Sequence, residues 1–344
     1  MKKGRVRIKD IAAEAGVSVT AVSYILNNVP SQSFAPETVK KVNDAARLLG
    51  YVPNMAARAL VSDRSRMIGV VIPQTEQHKE FLFSNPFYGD FLSSVEFTAR
   101  QEGYHILISG TNADQTYLEV ARTRSLDGII IVGMYPEDNY EELKKSEIPT
   151  VLVDCYCDDD YFNIIQIDDR QGGYQAAKLL LDKGHKHIAH VTGLIKDNGV
   201  NRQRMLGWRQ ALKEAGIKYD RGLLYDGEVS YLHGIEAGKK IAGSFRESGV
   251  TAVFASADII AAGLYSGLKS AGLTIPSDVS VVGFDDIWLA GICDPGLTTI
   301  RQDITLKGKT ALEVVLSLIN GDISGDRKIT LPIDLVERGS VDRR

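Results

Sequence analysis

Residues 8–26, Ile-Lys-Asp-Ile-Ala-Ala-Glu-Ala-Gly-Val-Ser-Val-Thr-Ala-Val-Ser-Tyr-Ile-Leu, have the types and spacing needed to read base edges. Ile8, Ile11, Ala12 and Ala15 form one apolar stripe, and Val17, Val22, Ile25 and Leu26 form another that can pack across it. Gly16 falls where the chain must turn sharply, and Ser18 is placed to cap the second helix. This pattern predicts a helix-turn-helix, whose second helix offers its outer face to a DNA groove. A small helical hairpin of any purpose would share it.

Other reactive side chains offer less. Cys155, Cys157 and Cys293 repeat no metal spacing, and no His lies near the first two, so zinc is not expected. They read as free thiols of a reducing compartment. His185, His187 and His190 suit strand and loop positions as well as any ligand role. No G-x-G-x-x-G follows Met67–Pro73, no phosphate loop ends in Lys-Ser/Thr, and no G-x-S-x-G elbow occurs. The expectation is a binding protein, with no enzymatic activity and no cofactor.

The elements around these residues divide the chain. A third helix starts near Pro36 and carries Val39, Val42, Ala45, Ala46 and Leu49 on one stripe before Gly50 stops it. Tyr51-Val52-Pro53-Asn54 leads into Met55-Ala56-Ala57-Arg58-Ala59-Leu60, too short for a stable free helix. From Met67, strands alternate with helices: Met67–Pro73, His105–Gly110, Gly128–Val132 and Thr150–Asp154, then His187–Thr192, Gly222–Tyr225, Ala252–Ala255 and Val279–Phe284. Their apolar runs are nearly continuous, as strands covered on both faces require. Two α/β lobes with parallel sheets follow, and a cleft between them would take a small molecule at the strand ends. Phe87 and Tyr88 open a helix just after a strand, where a ring could stack on a ligand; Phe87 fits the core equally well.

With 344 residues and 44% of them hydrophobic, the chain can fill several cores. Its net charge of −4 hides an asymmetry: through Arg66 there are eleven Lys and Arg against five Asp and Glu, while the remainder has 29 against 39. A basic head on an acidic body suits contact with nucleic acid. Asp10 and Glu14 interrupt the basic start where a signal peptide would need an apolar run, and no stretch could span a membrane. A cytoplasmic protein is expected, nucleoid-associated when bound to DNA.

The order and spacing of several motifs closely resemble the lactose repressor/galactose repressor family of bacterial transcription factors. They include Ile11-Ala12-x-x-Ala15-Gly16-Val17-Ser18, Val22-Ser23, Leu26-Asn27 and Leu49-Gly50-Tyr51-x-Pro53-Asn54-x-x-Ala57-Arg58-x-Leu60. The body adds Asn85-Pro86-Phe87-Tyr88, Asp168-Asp169-x-x-Gly172-Gly173, Arg204-x-x-Gly207-Trp208, Gly283-Phe284-Asp285-Asp286 and Pro295-x-Leu297-Thr298-Thr299-Ile300. The resemblance spans nearly the whole chain. It implies a helix-turn-helix headpiece (1–50), a hinge (51–65) and two periplasmic-binding-protein-like, Rossmann-like lobes, comprising 66–164 with 296–323, and 165–295 with 324–340.

The resemblance further implies DNA contact through Ser18, Val19, Thr20, Ser23, Tyr24 and Asn27, and through Asn54, Ala57, Arg58 and Leu60 of the hinge. Tyr24 stands where arginine is usual, which weakens readout of G there, and it could instead cover the headpiece core. Leu60 resembles the wedge that opens a central minor-groove step. Ala35 stands where a Ser cap is usual, which should cost about 1 kcal/mol. The effector site is expected at Phe87, Tyr88, Asp168, Arg204, Trp288 and Asp285, where Arg and Asp can bond several sugar hydroxyls. Implied partners are a near-palindromic operator duplex, a second copy of the chain and an effector, favoured to be a sugar or its derivative. A purine-type corepressor and a solute-binding protein without a DNA role are the alternatives. The last residues, Val341-Asp342-Arg343-Arg344, carry no heptad run, so a dimer is expected rather than a larger assembly.

Overall fold

A computed structural model describes residues 6–27, 32–52, 64–73, 82–111, 122, 124–133, 140–196, 199–322 and 327–344. Two compact units result, Met1–Arg66 and Met67–Arg344. In the first, α1 (Ile8–Ala15), α2 (Val19–Leu26) and α3 (Pro36–Leu49) enclose Ile11, Ala12, Val22, Ile25, Val42 and Ala45. Local chemistry sets the helix ends. Gly16 and Gly50 both adopt left-handed φ, at 65° and 66°, which only glycine takes without strain. Ser18 Oγ accepts from the Ala21 N–H at 3.1 Å, closing the N-terminus of α2. Ala35 supplies no side-chain cap to α3, as the sequence requires.

The second unit holds two six-stranded sheets. In chain order its elements are β1 (Met67–Pro73), α4 (Pro86–Gln101), β2 (His105–Thr111), β3 (Gly128–Val132), α5 (Tyr140–Lys145), β4 (Thr150–Val153) and β5 (Asn163–Ile167). There follow α6 (Asp169–Asp182), β6 (Ile188–Gly193), α7 (Val200–Glu214), β7 (Leu224–Gly227), α8 (Tyr231–Gly243), α9 (Phe245–Ser248), β8 (Ala252–Ala255) and α10 (Asp258–Ser270). The remainder is β9 (Ser280–Asp285), α11 (Trp288–Ile292), β10 (Thr298–Gln302), α12 (Ile304–Ile319), β11 (Lys328–Leu331) and β12 (Ile333–Val336).

The first sheet runs β11-β5-β4-β3-β1-β2, all parallel; the second runs β12-β10-β9-β8-β6-β7, parallel except for β12. Successive residues of one strand feed opposite faces. Ile130 and Val132 enter the core under α4 and α12, while Ile129 and Ile131 enter the one under α5. This is why the strands read as unbroken apolar runs.

Two expected lobe boundaries are corrected. Residues 298–302, assigned with 296–323 to the first lobe, form β10 and pair with β9 of the second sheet. Residues 328–331, assigned with 324–340 to the second lobe, form β11 and pair with β5 of the first. The reason is register: Ile300 lies beside Phe284, and Ile329 beside Ile165, so each strand extends an apolar sheet edge. The chain therefore crosses at Asp303, just before α12, and again between Leu331 and Ile333.

Candidate effector cleft and DNA-reading face

The second helix of the headpiece presents Ser18, Val19 and Thr20 to solvent, Val19 with 50% of its surface exposed. Ser23, Tyr24 and Asn27 are half-buried, and Asn27 Nδ2 donates to Ser23 Oγ at 3.4 Å. Tyr24 is half-buried and is not among the residues packed into the headpiece core. Asn54, Ala57, Arg58 and Leu60 lie outside the described residues.

In the second unit, polar groups converge at the carboxyl ends of strands, where a parallel sheet opens a crevice. Asp285 ends β9 with φ 114°, and Asp154 follows β4 with φ 54°; both conformations are strained for a residue with a Cβ. Arg204, on α7, donates from Nε to Asp169 Oδ1 at 2.7 Å and from Nη1 to the Ser256 carbonyl at 2.5 Å. Its Nη1 also lies 3.6 Å from Asp285 Oδ1, and the guanidinium stacks 3.6 Å above the Phe284 ring. Tyr156 donates to the second Asp169 oxygen at 2.7 Å. Gln302, ending β10, donates to Asp285 Oδ1 at 2.6 Å.

Burial sets the electrostatics. Loss of water pushes the Asp285 carboxyl up to about 6, against the pull of Arg204 and the Gln302 bond. Asp169 is also raised by burial, which outweighs the opposing Arg204 charge. Burial works against the Arg204 charge, but Asp169 and Asp285 more than offset it and raise its pKa. Asp258 is held well above the usual carboxylate range by burial and by Asp285. It supports the turn beyond β9, accepting from the Ile287 N–H at 3.0 Å and from Thr299 Oγ1 at 2.7 Å. His190 is pushed down to about 3, by burial first and then by Arg204. It stacks on Phe254 and bonds Ser256 Oγ at 2.7 Å, a neutral core imidazole rather than a proton carrier.

Glycine sets the distance between the helices carrying this group. A Cβ at Gly173 of α6 would collide with the Arg204 carbonyl, and one at Gly207 of α7 with the Arg170 carbonyl. Backbone-to-backbone contact there brings Arg204 to Asp169. Gly207→Ala should therefore part α6 and α7, costing about 1–3 kcal/mol in overpacking. Calorimetric melting of the variant is the check, and an unchanged transition would mean that the helices have room to move.

The structure redistributes the expected effector residues. Arg204 and Asp285 meet, as described. Phe87 is 8% exposed, stacked on Phe91 and edge-on to the half-buried Tyr88, so it serves the core while bordering the cleft group through Lys307, 5.6 Å from its ring. Asp168 is exposed and caps α6, accepting from the Gln171 N–H at 2.8 Å; its neighbour Asp169 is the one turned inward. Trp288 is 59% exposed on α11 and is not part of the buried group.

Sequence reading missed Asp154, Tyr156, Asp169, Gln302 and Lys307. One signal was available for Lys307, which falls on the apolar stripe Ile304, Gly308, Ala311, Leu312 and Val315 of α12. A lysine at such a position must find a partner inside.

Comparisons with known proteins agree with this organisation. Residues 7–54 match the family described as bacterial regulatory proteins, lacI family, and residues 177–341 match a periplasmic binding protein-like domain. The chain is 34% identical to the HTH-type transcriptional regulator DegA of Bacillus subtilis (strain 168), over 97% of each protein. It resembles the lac repressor dimer bound to operator and the anti-inducer ONPF, with TM-score 0.83, 26% identity and coverage of 98% and 99%. A complex of the transcriptional regulator CelR with cellobiose is similar too, at TM-score 0.70 and 27% identity, covering 98% of this chain and all of that one.

Proposed function

Because the chain belongs to the lacI family of bacterial regulatory proteins, and is thus a DNA-binding, ligand-responsive transcriptional regulator rather than an enzyme, we propose a homodimeric repressor released by a sugar-like inducer. Its targets are genes for uptake or breakdown of that sugar. One observation carries the effector reading: a buried guanidinium and carboxylate, Arg204 and Asp285, meet at the strand ends within 3.6 Å. Fixed donors beside a fixed acceptor match the alternating hydroxyls of a sugar. The likeness to a cellobiose-bound regulator supports the same class.

Operator contact is assigned to the exposed residues of α2, with Asn54, Ala57, Arg58 and Leu60 acting in the minor groove. Dimerisation is assigned to the helices around α10. Tyr231 and Leu232 of α8 and Trp288 and Ile292 of α11 are large, apolar and between 41% and 70% exposed, and both helices pack on α10. A second copy would bury them.

Linkage supplies the test. An inducer must lose affinity when operator is bound, by the same factor by which it weakens DNA binding. Effector affinity is measured by calorimetry with and without operator; a corepressor gives the opposite sign, and equal values exclude direct control by that ligand. Acid should also weaken the inducer. A carboxyl that titrates at about 6 accepts hydroxyl bonds fully above that pH and loses this capacity as pH falls through it. Affinity measured against pH should thus fall on the acid side, and a flat profile across that range would remove Asp285 from the contact.

A further inference from the structure

Lys307 lies in the first turn of α12, in the first lobe, and has no exposed surface. A buried ammonium is tolerated only where charge and hydrogen bonds are returned to it. Its Nζ donates to Asp154 Oδ1 at 2.6 Å and to Gln302 Oε1 at 2.5 Å. The second bond has a consequence for the amide. With Gln302 Oε1 committed to the ammonium, Gln302 Nε2 must point the other way, where it meets Asp285 Oδ1 at 2.6 Å. Flipping the amide would set NH2 against ammonium and carbonyl oxygen against carboxylate, two repulsive contacts in place of two attractive ones.

These bonds form part of a closed ring. From Asp154 it runs through Lys307, Gln302, Asp285, Arg204 and Asp169 to Tyr156, which lies two residues beyond Asp154. Asp154, Tyr156 and Lys307 belong to the first lobe, and Asp169, Arg204, Asp285 and Gln302 to the second. The ring thus crosses the lobe boundary twice, at Lys307–Gln302 and at Tyr156–Asp169.

We propose that Lys307 is a positioning residue of the effector site, which acts through Gln302 to aim the Asp285 carboxylate and to tie the two lobes together at the cleft floor. The proposal rests on the reading of Asp285 as an effector contact. An ion pair with Asp154 that served stability alone would reach Asp285 only through its charge, whatever stands at residue 302, so the two roles separate on whether the effect of Lys307 on the Asp285 titration depends on Gln302. The groups facing that carboxyl are Arg204 of α7, Asp169 of α6, Asp258 of α10, Gln302 of β10 and Lys307 of α12.

The full chain, labelled with 13Cγ-aspartate and free of effector, is titrated by NMR, with the Asp285 signal assigned by its loss in Asp285→Asn. Lys307→Met should make Asp285 bind its proton at least about tenfold more tightly, because both the nearby cation and the fixed amide donor are lost. A titration midpoint equal to that of the native chain overturns the proposal, even if the melting temperature falls. The same substitution made on a Gln302→Leu background should shift Asp285 less, and an equal shift on both backgrounds overturns the proposal; should Lys307→Met fail to fold, Lys307→Gln, which removes the charge, is read in its place. No effector is added, so this result stands or falls separately from the effector-site reading, which calorimetry of ligand binding tests.

Discussion

Affinity for operator should fall by about three to five orders of magnitude as salt rises from about 50 to about 200 mM, the range for proteins that neutralise roughly six to ten phosphates. The argument is electrostatic. The first 66 residues hold eleven Lys and Arg against five acidic residues, and a dimer brings two such heads to one duplex. Every phosphate they neutralise releases a condensed counterion, and added salt opposes that release. The acidic remainder, 29 basic against 39 acidic residues, adds no attraction of its own. Salt-titrated binding to genomic fragments is the measurement. Equal affinity for every fragment at physiological salt would defeat specific recognition. In the same assay, Leu60→Ala should weaken specific binding and reduce the bend while leaving the salt slope in place, since a wedge between bases neutralises no phosphate. Native affinity and bend in that variant would remove Leu60 from the role.

Arg204→Ala and Asp285→Ala should each cost roughly 2–4 kcal/mol of effector binding, about 30- to 1000-fold. The two variants differ in cause. Without Asp285, the site loses its acceptor, while Arg204 keeps Asp169 at 2.7 Å and the Ser256 carbonyl. Without Arg204, Asp169 and Asp285 lose the cation between them, and both carboxyls should take up protons more readily. Each variant should still dimerise and bind operator without ligand, because the exposed faces of α2, α8 and α11 are unchanged. Isothermal calorimetry on both decides the matter: effector affinity surviving both changes would place the pocket elsewhere.

What could be read directly from the sequence was whatever neighbouring residues settle among themselves. Gly16, Ser18 and Gly50 mark helix ends through their own φ preferences and one local hydrogen bond. Runs such as Gly128–Val132 announce a doubly covered strand because every residue in them must be buried. Asn163–Ile167 and Thr298–Gln302 gave no such signal, since Asn163, Gln166, Arg301 and Gln302 break the apolar run. Motif resemblance points to Arg204 and Asp285, and to Asp168 where it is Asp169 that turns inward, because adjacent positions at a helix start point in different directions.

Tertiary structure decided the rest. Lobe membership of β10 and β11 depends on sheet edges, the edge that receives β11 being supplied by residues some 165 positions earlier. Lys307 shows the reason most plainly. By type it belongs in water, by periodicity in a core, and local sequence offers nothing to reconcile the two. Asp154, 153 residues away, supplies the counter-charge, and Gln302 the second acceptor. A buried charge is affordable only where distant chain segments have already been brought within hydrogen-bonding distance, so its role exists in the fold and not in the stretch of sequence around it.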